Sequence, residues 1–111
     1  MSAFTENIEK LIKKTEEGEL NWTQESSMLN YTTIINASEG VEGMISIQQV
    51  DLSFIFQVKD RRNSAVKLLV DTRRIRDEQV LALLKKLYDV TTEQIIRAKF
   101  EFLDKLMKGI E

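Results

Sequence analysis

The sequence predicts an α+β fold: an N-terminal helix, an antiparallel meander of three or four strands, and two C-terminal helices covering one sheet face. The spacing of apolar residues predicts this order, because it is helical up to residue 15, alternates between residues 29 and 70, and is helical again after residue 76. The 111 residues fit a single domain, 1–111, with one core. A content of 42% hydrophobic and 31% charged residues is that of an ordinary globular protein.

The first element is an amphipathic helix. Phe4, Ile8 and Leu11 recur at three- and four-residue spacing, with lysines and glutamates between them. Gly18 is expected to end the helix, since glycine adopts the left-handed backbone conformation without steric cost. Trp22 follows in a short extended return, and we expect its large ring to pack on the core.

The period of 2 begins at Leu29 and is interrupted by the glycine-containing stretch 38–43, which is typical of a loop or hairpin. The next stretch, 44–59, alternates throughout but changes phase. A change of phase moves the side chains to the other sheet face, so we expect a bulge or a turn at Gln48-Gln49 and a separate strand on each side of it.

The last hairpin can be registered from its apolar pattern. A three-residue loop of Arg61, Arg62 and Asn63 brings the apolar faces of both strands to the same side, and asparagine tolerates a positive φ. The expected inner pairs are Val58 with Val66, Phe56 with Leu68, and Phe54 with Val70. The same register places Ile55 beside Leu69 on the outer face, where an aliphatic pair is available to a partner.

Five arginines lie between residues 58 and 77. They suggest nucleic-acid binding as one possible function, which we keep as the alternative to protein binding. They form two groups, because Arg61 and Arg62 lie at the hairpin tip while Arg73, Arg74 and Arg76 follow the returning strand, roughly 25 Å away at about 3.3 Å per residue. Residues 59–76 carry a net charge of +5, so the rest of a chain of net −2 carries −7. This acidic remainder opposes long-range attraction to nucleic acid.

Two helices are expected after Arg76. The first carries a buried stripe from Val80 to Tyr88, and the capping-box match of Thr91 with Gln94 predicts that a new helix begins there. The final helix, about Thr92 to Gly109, carries two rows of apolar residues. The first seam is Ile96, Phe100, Leu103, Met107 and Ile110; the second seam is Ile95, Ala98, Phe102 and Leu106, roughly 100° around the helix.

The two seams allow two interpretations. Either one seam packs on the sheet and the other on the first or second helix, or the second seam is a surface for a partner protein or a second copy. On the second interpretation the partner-binding residues are Ile95, Phe102 and Leu106, with Ile55 and Leu69 as a second patch.

The composition argues against several functional classes. Without cysteine the chain has no thiolate nucleophile or thiolate metal ligand, and without histidine it lacks the commonest general base. The glycines do not have the spacing of a phosphate-binding loop. We therefore expect no catalytic residue, no cofactor and no metal site. The N-terminus has no apolar run of signal-peptide length, so we expect a cytoplasmic protein without a membrane span.

Two stretches of the sequence, IEKLIKKTEEGELNW and LLKKLYDV, resemble a loose group of small uncharacterised bacterial and phage accessory proteins. In that group an initial helix and a Gly-x-Leu-x-Trp return precede an antiparallel sheet and closing helices. The resemblance implies an accessory protein of a phage or mobile element that acts by binding another protein. The expected function is a non-catalytic protein-interaction module, whose partner is another protein or a second copy of itself.

Overall fold

The computed structural model describes residues 3–24, 30–37 and 40–110. Within these ranges the fold is α+β, with five strands where the sequence predicts three or four. The elements are α1 (Ala3–Glu16), β1 (Thr23–Gln24), β2 (Asn30–Asn36), β3 (Glu42–Val50), β4 (Ser53–Asp60), β5 (Ala65–Asp71) and α2 (Glu78–Lys108). The strands form one sheet in the order β1-β2-β3-β4-β5, and each neighbouring pair is antiparallel.

The core lies between the inner face of the sheet and the two helices. Register places Tyr31, Ile47 and Phe56 side by side across β2, β3 and β4. Phe56 contacts Phe4 of α1 edge to face, and Tyr31 stacks at a tilt on Tyr88 of α2. These contacts place both helices on the same face of the sheet, as the sequence predicts.

The end of α1 confirms the expectations for Gly18 and Trp22. Gly18 has a φ of +78° and its N–H donates to the carbonyl of Thr15. The chain then turns back and buries Trp22, whose indole N–H donates to the Thr15 hydroxyl at 2.9 Å. Because α1 ends at Gly18, the chain can turn back and bring the Trp22 ring against Thr15.

The turn between β3 and β4 corrects the prediction at Gln48-Gln49. β3 continues through both glutamines to Val50, which pairs with Ser53, and the two-residue turn is Asp51-Leu52. Asp51 adopts a φ of 55°, a left-handed conformation that aspartate tolerates better than most residues. This turn pairs odd with even positions, such as Ile47 with Phe56, so the change of phase marks a tight hairpin rather than a bulge.

The hairpin of β4 and β5 differs from the predicted register by two residues. Its loop has four residues, 61–64, with Asp60 opposite Ala65 and the positive φ at Ser64 instead of Asn63. A bulge at Val58/Lys59 adds one more residue on β5. The observed pairs are Val58 with Leu68, Phe56 with Val70, and Ile55 with Asp71. Because the total shift is even, the inner face keeps its apolar residues.

In the continuously described residues 40–110, the single helix α2 replaces the two predicted C-terminal helices. Asp77 caps its start by accepting hydrogen bonds from the N–H groups of Gln79 and Val80. The predicted break at Thr91 is wrong, because the Gln94 side chain bonds the α1–β1 connection instead of capping a new helix. A helix of 31 residues is roughly 46 Å long at 1.5 Å per residue.

The length of α2 gives the molecule its elongated shape. The longest dimension is 52 Å and the Cα radius of gyration is 15.5 Å. A compact chain of this length has a radius of gyration of about 13 Å. The larger observed radius of gyration indicates that part of α2 extends beyond the rest of the domain. We call the sheet, α1 and the part of α2 that packs on them the body.

Candidate protein-interaction surface

The body of the domain stops burying α2 at Ile95. The buried residues of the helix are Leu84, Leu87, Tyr88, Thr91 and Ile95. Every residue from Ile96 to Ile110 is exposed, although the segment remains helical through Lys108. We call residues 96–110 the arm.

The arm is joined to the body by polar contacts at its base. The Gln94 side chain accepts from the Trp22 N–H at 2.9 Å and donates to the Leu20 carbonyl at 2.7 Å. One turn further on, Lys99 donates to the Gln24 side chain at 2.9 Å. These bonds fix the direction in which the arm leaves the body.

The first seam is exposed along its whole length. The exposed fractions are 46% for Ile96, 61% for Phe100, 47% for Leu103, 50% for Met107 and 76% for Ile110. At 100° per residue the centre of the first seam lies roughly 125° around the helix from the buried stripe. The body therefore leaves the first seam in water, and the interpretation in which both seams pack within the domain is wrong.

The second seam continues the buried stripe past the end of the body. Ile95 is only 7% exposed and belongs to the core, so it is not free to bind a partner in this conformation. Phe102 and Leu106, the other two predicted partner residues, are more than half exposed. An open groove of about 590 Å³ lies between Phe102 and the Trp22–Gln24 segment.

The charges beside the first seam are mixed in sign. With Phe100 at heptad position a, Arg97 and Asp104 occupy e positions and Lys99 occupies a g position, which are the positions that flank a coiled-coil interface. Glu101 and Lys108 occupy b positions, away from the first seam, and Leu106 of the second seam occupies the other g position. An apolar stripe with charged residues at three of its four flanking positions is the pattern of a helix that packs against another helix.

The second predicted patch, Ile55 and Leu69, lies on the outer face of the sheet. The two residues are diagonal neighbours, because Ile55 pairs with Asp71 and Gln57 pairs with Leu69. Leu69 is 58% exposed, whereas Ile55 is half-buried. This patch is smaller than the first seam and is interrupted by polar side chains.

The arginines occupy the two places that the sequence predicts. At the hairpin tip, Arg61 and Arg62 lie 3.9 Å from Glu42 and 3.5 Å from Asp60. At the other end, Arg73 makes a bidentate contact with Asp71, at 2.7 Å for the shorter ion pair. Hydrogen bonds from Arg73 lower the pKa of Asp71 to about 2. Arg74 and Arg76 are exposed nearby.

The part of the chain that the structure describes holds no cluster of three or more acidic residues able to bind a metal ion. In the same residues, no helix combines the length and apolarity needed to cross a membrane. Burial raises the pKa of Tyr88, which is hydrogen-bonded to Tyr31, so this phenol stays protonated as a core residue.

Neither a protein-family model, nor a curated protein, nor a solved structure matches the chain. The function is therefore inferred from the geometry of the chain itself, and the first seam is its most distinctive surface.

Proposed function

We propose that the protein is a non-catalytic interaction module whose arm pairs with the arm of a second copy. The observation that carries this proposal is the first seam, which is apolar, exposed and directed away from the body. The resemblance of the chain's two ends to small bacterial and phage proteins supports a role as an accessory protein of such an element.

The spacing of the first seam favours a helix as its partner. Its residues follow intervals of four, three, four and three, an average of 3.5, which keeps one stripe facing a supercoiled neighbour. Its five side chains each expose on the order of 100 Å². With flanking residues, pairing two arms buries on the order of 600 Å² per copy, the lower range for stable dimers.

The flanking charges make a second copy a complementary partner. In a parallel pair, Lys99 of one copy faces Asp104 of the other, and symmetry repeats this contact. In an antiparallel pair, Asp104 faces Arg97 instead. We propose the parallel pair, because it stacks all five first-seam residues on their counterparts. The antiparallel register that pairs Phe100 with Leu103 places Ile110 opposite Glu93.

Pairing also accounts for the helical state of the arm. An isolated helix of about 15 residues is marginally stable in water, since most helix stability in proteins comes from packing. The arm leaves the body with its apolar residues in water. A second copy supplies the packing surface that the body does not reach.

Sedimentation velocity across a micromolar concentration range tests the proposal. We expect reversible dimerisation of the wild type and dimerisation at least about tenfold weaker in Phe100→Glu, because a carboxylate enters the paired seam. Phe102→Glu is the matched control, since Phe102 is equally exposed two residues away but lies on the second seam. We expect it to dimerise as the wild type does.

The opposite pattern would move the interface. If Phe102→Glu abolishes dimerisation while Phe100→Glu does not, the second seam is the contact surface. A wild type that stays monomeric throughout the concentration range would remove the second copy as the partner. Circular dichroism of both variants verifies that the body remains folded.

A further inference from the structure

A cleft lies between α1 and the inner face of the sheet, and no residue of the arm lines it. It has a volume of about 610 Å³ and is open to solvent. Its walls are apolar side chains from both layers, including Phe4, Leu11, Ile35, Phe56, Val58 and Leu68. Pockets for small organic ligands have volumes of roughly 300–1,000 Å³ and mostly apolar walls.

The cleft exists because the helices cover only part of the inner face. The row Ile45, Val58 and Leu68 runs across β3, β4 and β5 by direct pairing. Ile45 is 8% exposed, Val58 is half-buried and Leu68 is 41% exposed, so burial declines toward β5. The two helices pack mainly against each other, so the β5 end of this row is left uncovered beside α1.

The polar residues that line the cleft all come from α1, and because Asn7 and Lys10 are exposed we call this edge the mouth of the cleft. Asn7, Lys10 and Lys14 line it from α1, at intervals of three and four residues, so they form one ridge along the helix. Lys14 is paired with Glu19 at 2.6 Å, and the hydrogen bond to Glu19 raises the pKa of Lys14. Lys10 lies one turn before Lys14 on the same ridge and is exposed.

We propose that this cleft binds a single-chain anionic amphiphile, specifically a fatty acid in its carboxylate form. The alkyl chain lies against Phe56, Val58 and Leu68, where it removes apolar surface from water. The carboxylate lies at the mouth and accepts charge-assisted hydrogen bonds from Lys10. The proposal is independent of dimerisation, since no residue of the arm lines the cleft.

Isothermal titration of the full chain with dodecanoate, below its micelle concentration, tests this site. Dodecyltrimethylammonium, which has the same alkyl chain and a cationic head, is the ligand control. We expect saturable binding of one dodecanoate per chain and binding of the cationic amphiphile at least about tenfold weaker. Equal binding of both amphiphiles would overturn the role of the lysine ridge and with it the proposal.

Two matched pairs of variants locate the ligand. Leu68→Glu places a carboxylate in the cleft, whereas Leu69→Glu places one on the outer face of the same strand. Lys10→Glu reverses a charge at the mouth of the cleft, whereas Lys13→Glu reverses the charge of a nearby lysine that does not line the cleft. We expect at least about tenfold weaker dodecanoate binding for Leu68→Glu and Lys10→Glu, and less than about twofold change for the controls.

The arm provides the remaining control, because its exposed apolar residues offer a second place for an alkyl chain. Phe100→Glu is expected to bind dodecanoate as the wild type does. If Phe100→Glu abolishes binding while Leu68→Glu does not, the amphiphile binds the arm and the cleft is not its site. If all four cleft and control variants bind equally, the cleft proposal is wrong whatever the oligomeric state.

Discussion

Two buried threonines show how a hydroxyl group contributes to stability according to its hydrogen bonds. Thr15 accepts from the Trp22 indole N–H at 2.9 Å and donates to the Leu11 carbonyl at 2.8 Å. Thr91 is completely buried, and among the described residues its hydroxyl oxygen has no hydrogen-bond partner. A buried polar group without a partner destabilises the folded state by its desolvation.

The same substitution at these two positions is therefore expected to have opposite effects. Thr15→Val leaves the indole N–H unpaired in the core and should lower the free energy of unfolding by about 1–3 kcal/mol. Thr91→Val removes a buried oxygen at nearly constant shape and should raise it by about 1 kcal/mol. Urea denaturation measures both, with Thr15→Ser as the variant that keeps the hydroxyl. A loss of stability in Thr91→Val would show that its hydroxyl is paired.

At the scale of elements, the link between β5 and α2 is held by hydrogen bonds of Asp71, Thr72 and Arg73, which we call the clamp. Asp71 accepts hydrogen bonds from the backbone N–H and the side chain of Arg73, while the Thr72 hydroxyl accepts from the Phe54 N–H. The Arg73 hydrogen bonds hold the pKa of Asp71 at about 2, below the ordinary carboxyl value. The clamp positions the chain for the Asp77 cap that follows.

This lowered pKa predicts the direction of one pH effect. Because the folded pKa is below the unfolded pKa, the ionised Asp71 stabilises the fold above about pH 4 and loses that effect as the pH falls toward 2. Denaturation between pH 2 and 7 should therefore show a smaller loss of stability on the acid side in Asp71→Asn than in the wild type. Asp89→Asn, at an exposed position of α2, is the control. If the stability of Asp71→Asn falls at acid pH as much as that of the wild type, the role of the clamp is contradicted.

The elements that the sequence predicts correctly are those with a local physical cause. Gly18 stops α1 through its backbone freedom, and Trp22 has an apolar ring that must be buried. The errors arise where a distant contact decides the outcome. The spacing of Gln94 from Thr91 predicts that Gln94 caps a new helix. Its side chain instead binds a loop that is more than 70 residues away in the sequence. The register of β5 depends on a bulge and a loop that the apolar alternation does not distinguish.

The exposure of the two seams is a second feature that depends on tertiary structure. The sequence shows both seams but not where the body ends, so it does not tell which seam residues the body buries. The structure places Ile95 in the core and leaves the first seam in water. The regular spacing of the first seam is the sequence feature that favours a helical partner in our proposal, because packing on a sheet does not require an average interval of 3.5 residues.

At the scale of the whole molecule, the body and the arm have different properties. The body buries a core of apolar residues between the sheet and the helices, with an open cleft beside α1. The arm extends the molecule to 52 Å and carries a continuous apolar stripe without a body surface to cover it. In the proposed dimer the bodies lie on opposite sides of the paired arms, since the stripe of α2 that faces the body is roughly 125° from the first seam.

The most direct test of the paired arms is disulfide formation in Met107→Cys. The natural chain has no cysteine, so this thiol can form a disulfide only with a second copy. In the parallel pair the two Cys-substituted positions face each other within the distance of about 7 Å that a disulfide allows. In the antiparallel pair they are separated by roughly 16 Å along the helix. We expect rapid formation of a covalent dimer under mild oxidation, and none in Glu101→Cys, which lies away from the first seam. Crosslinking of Met107→Cys no faster than of Glu101→Cys would contradict the proposed dimer.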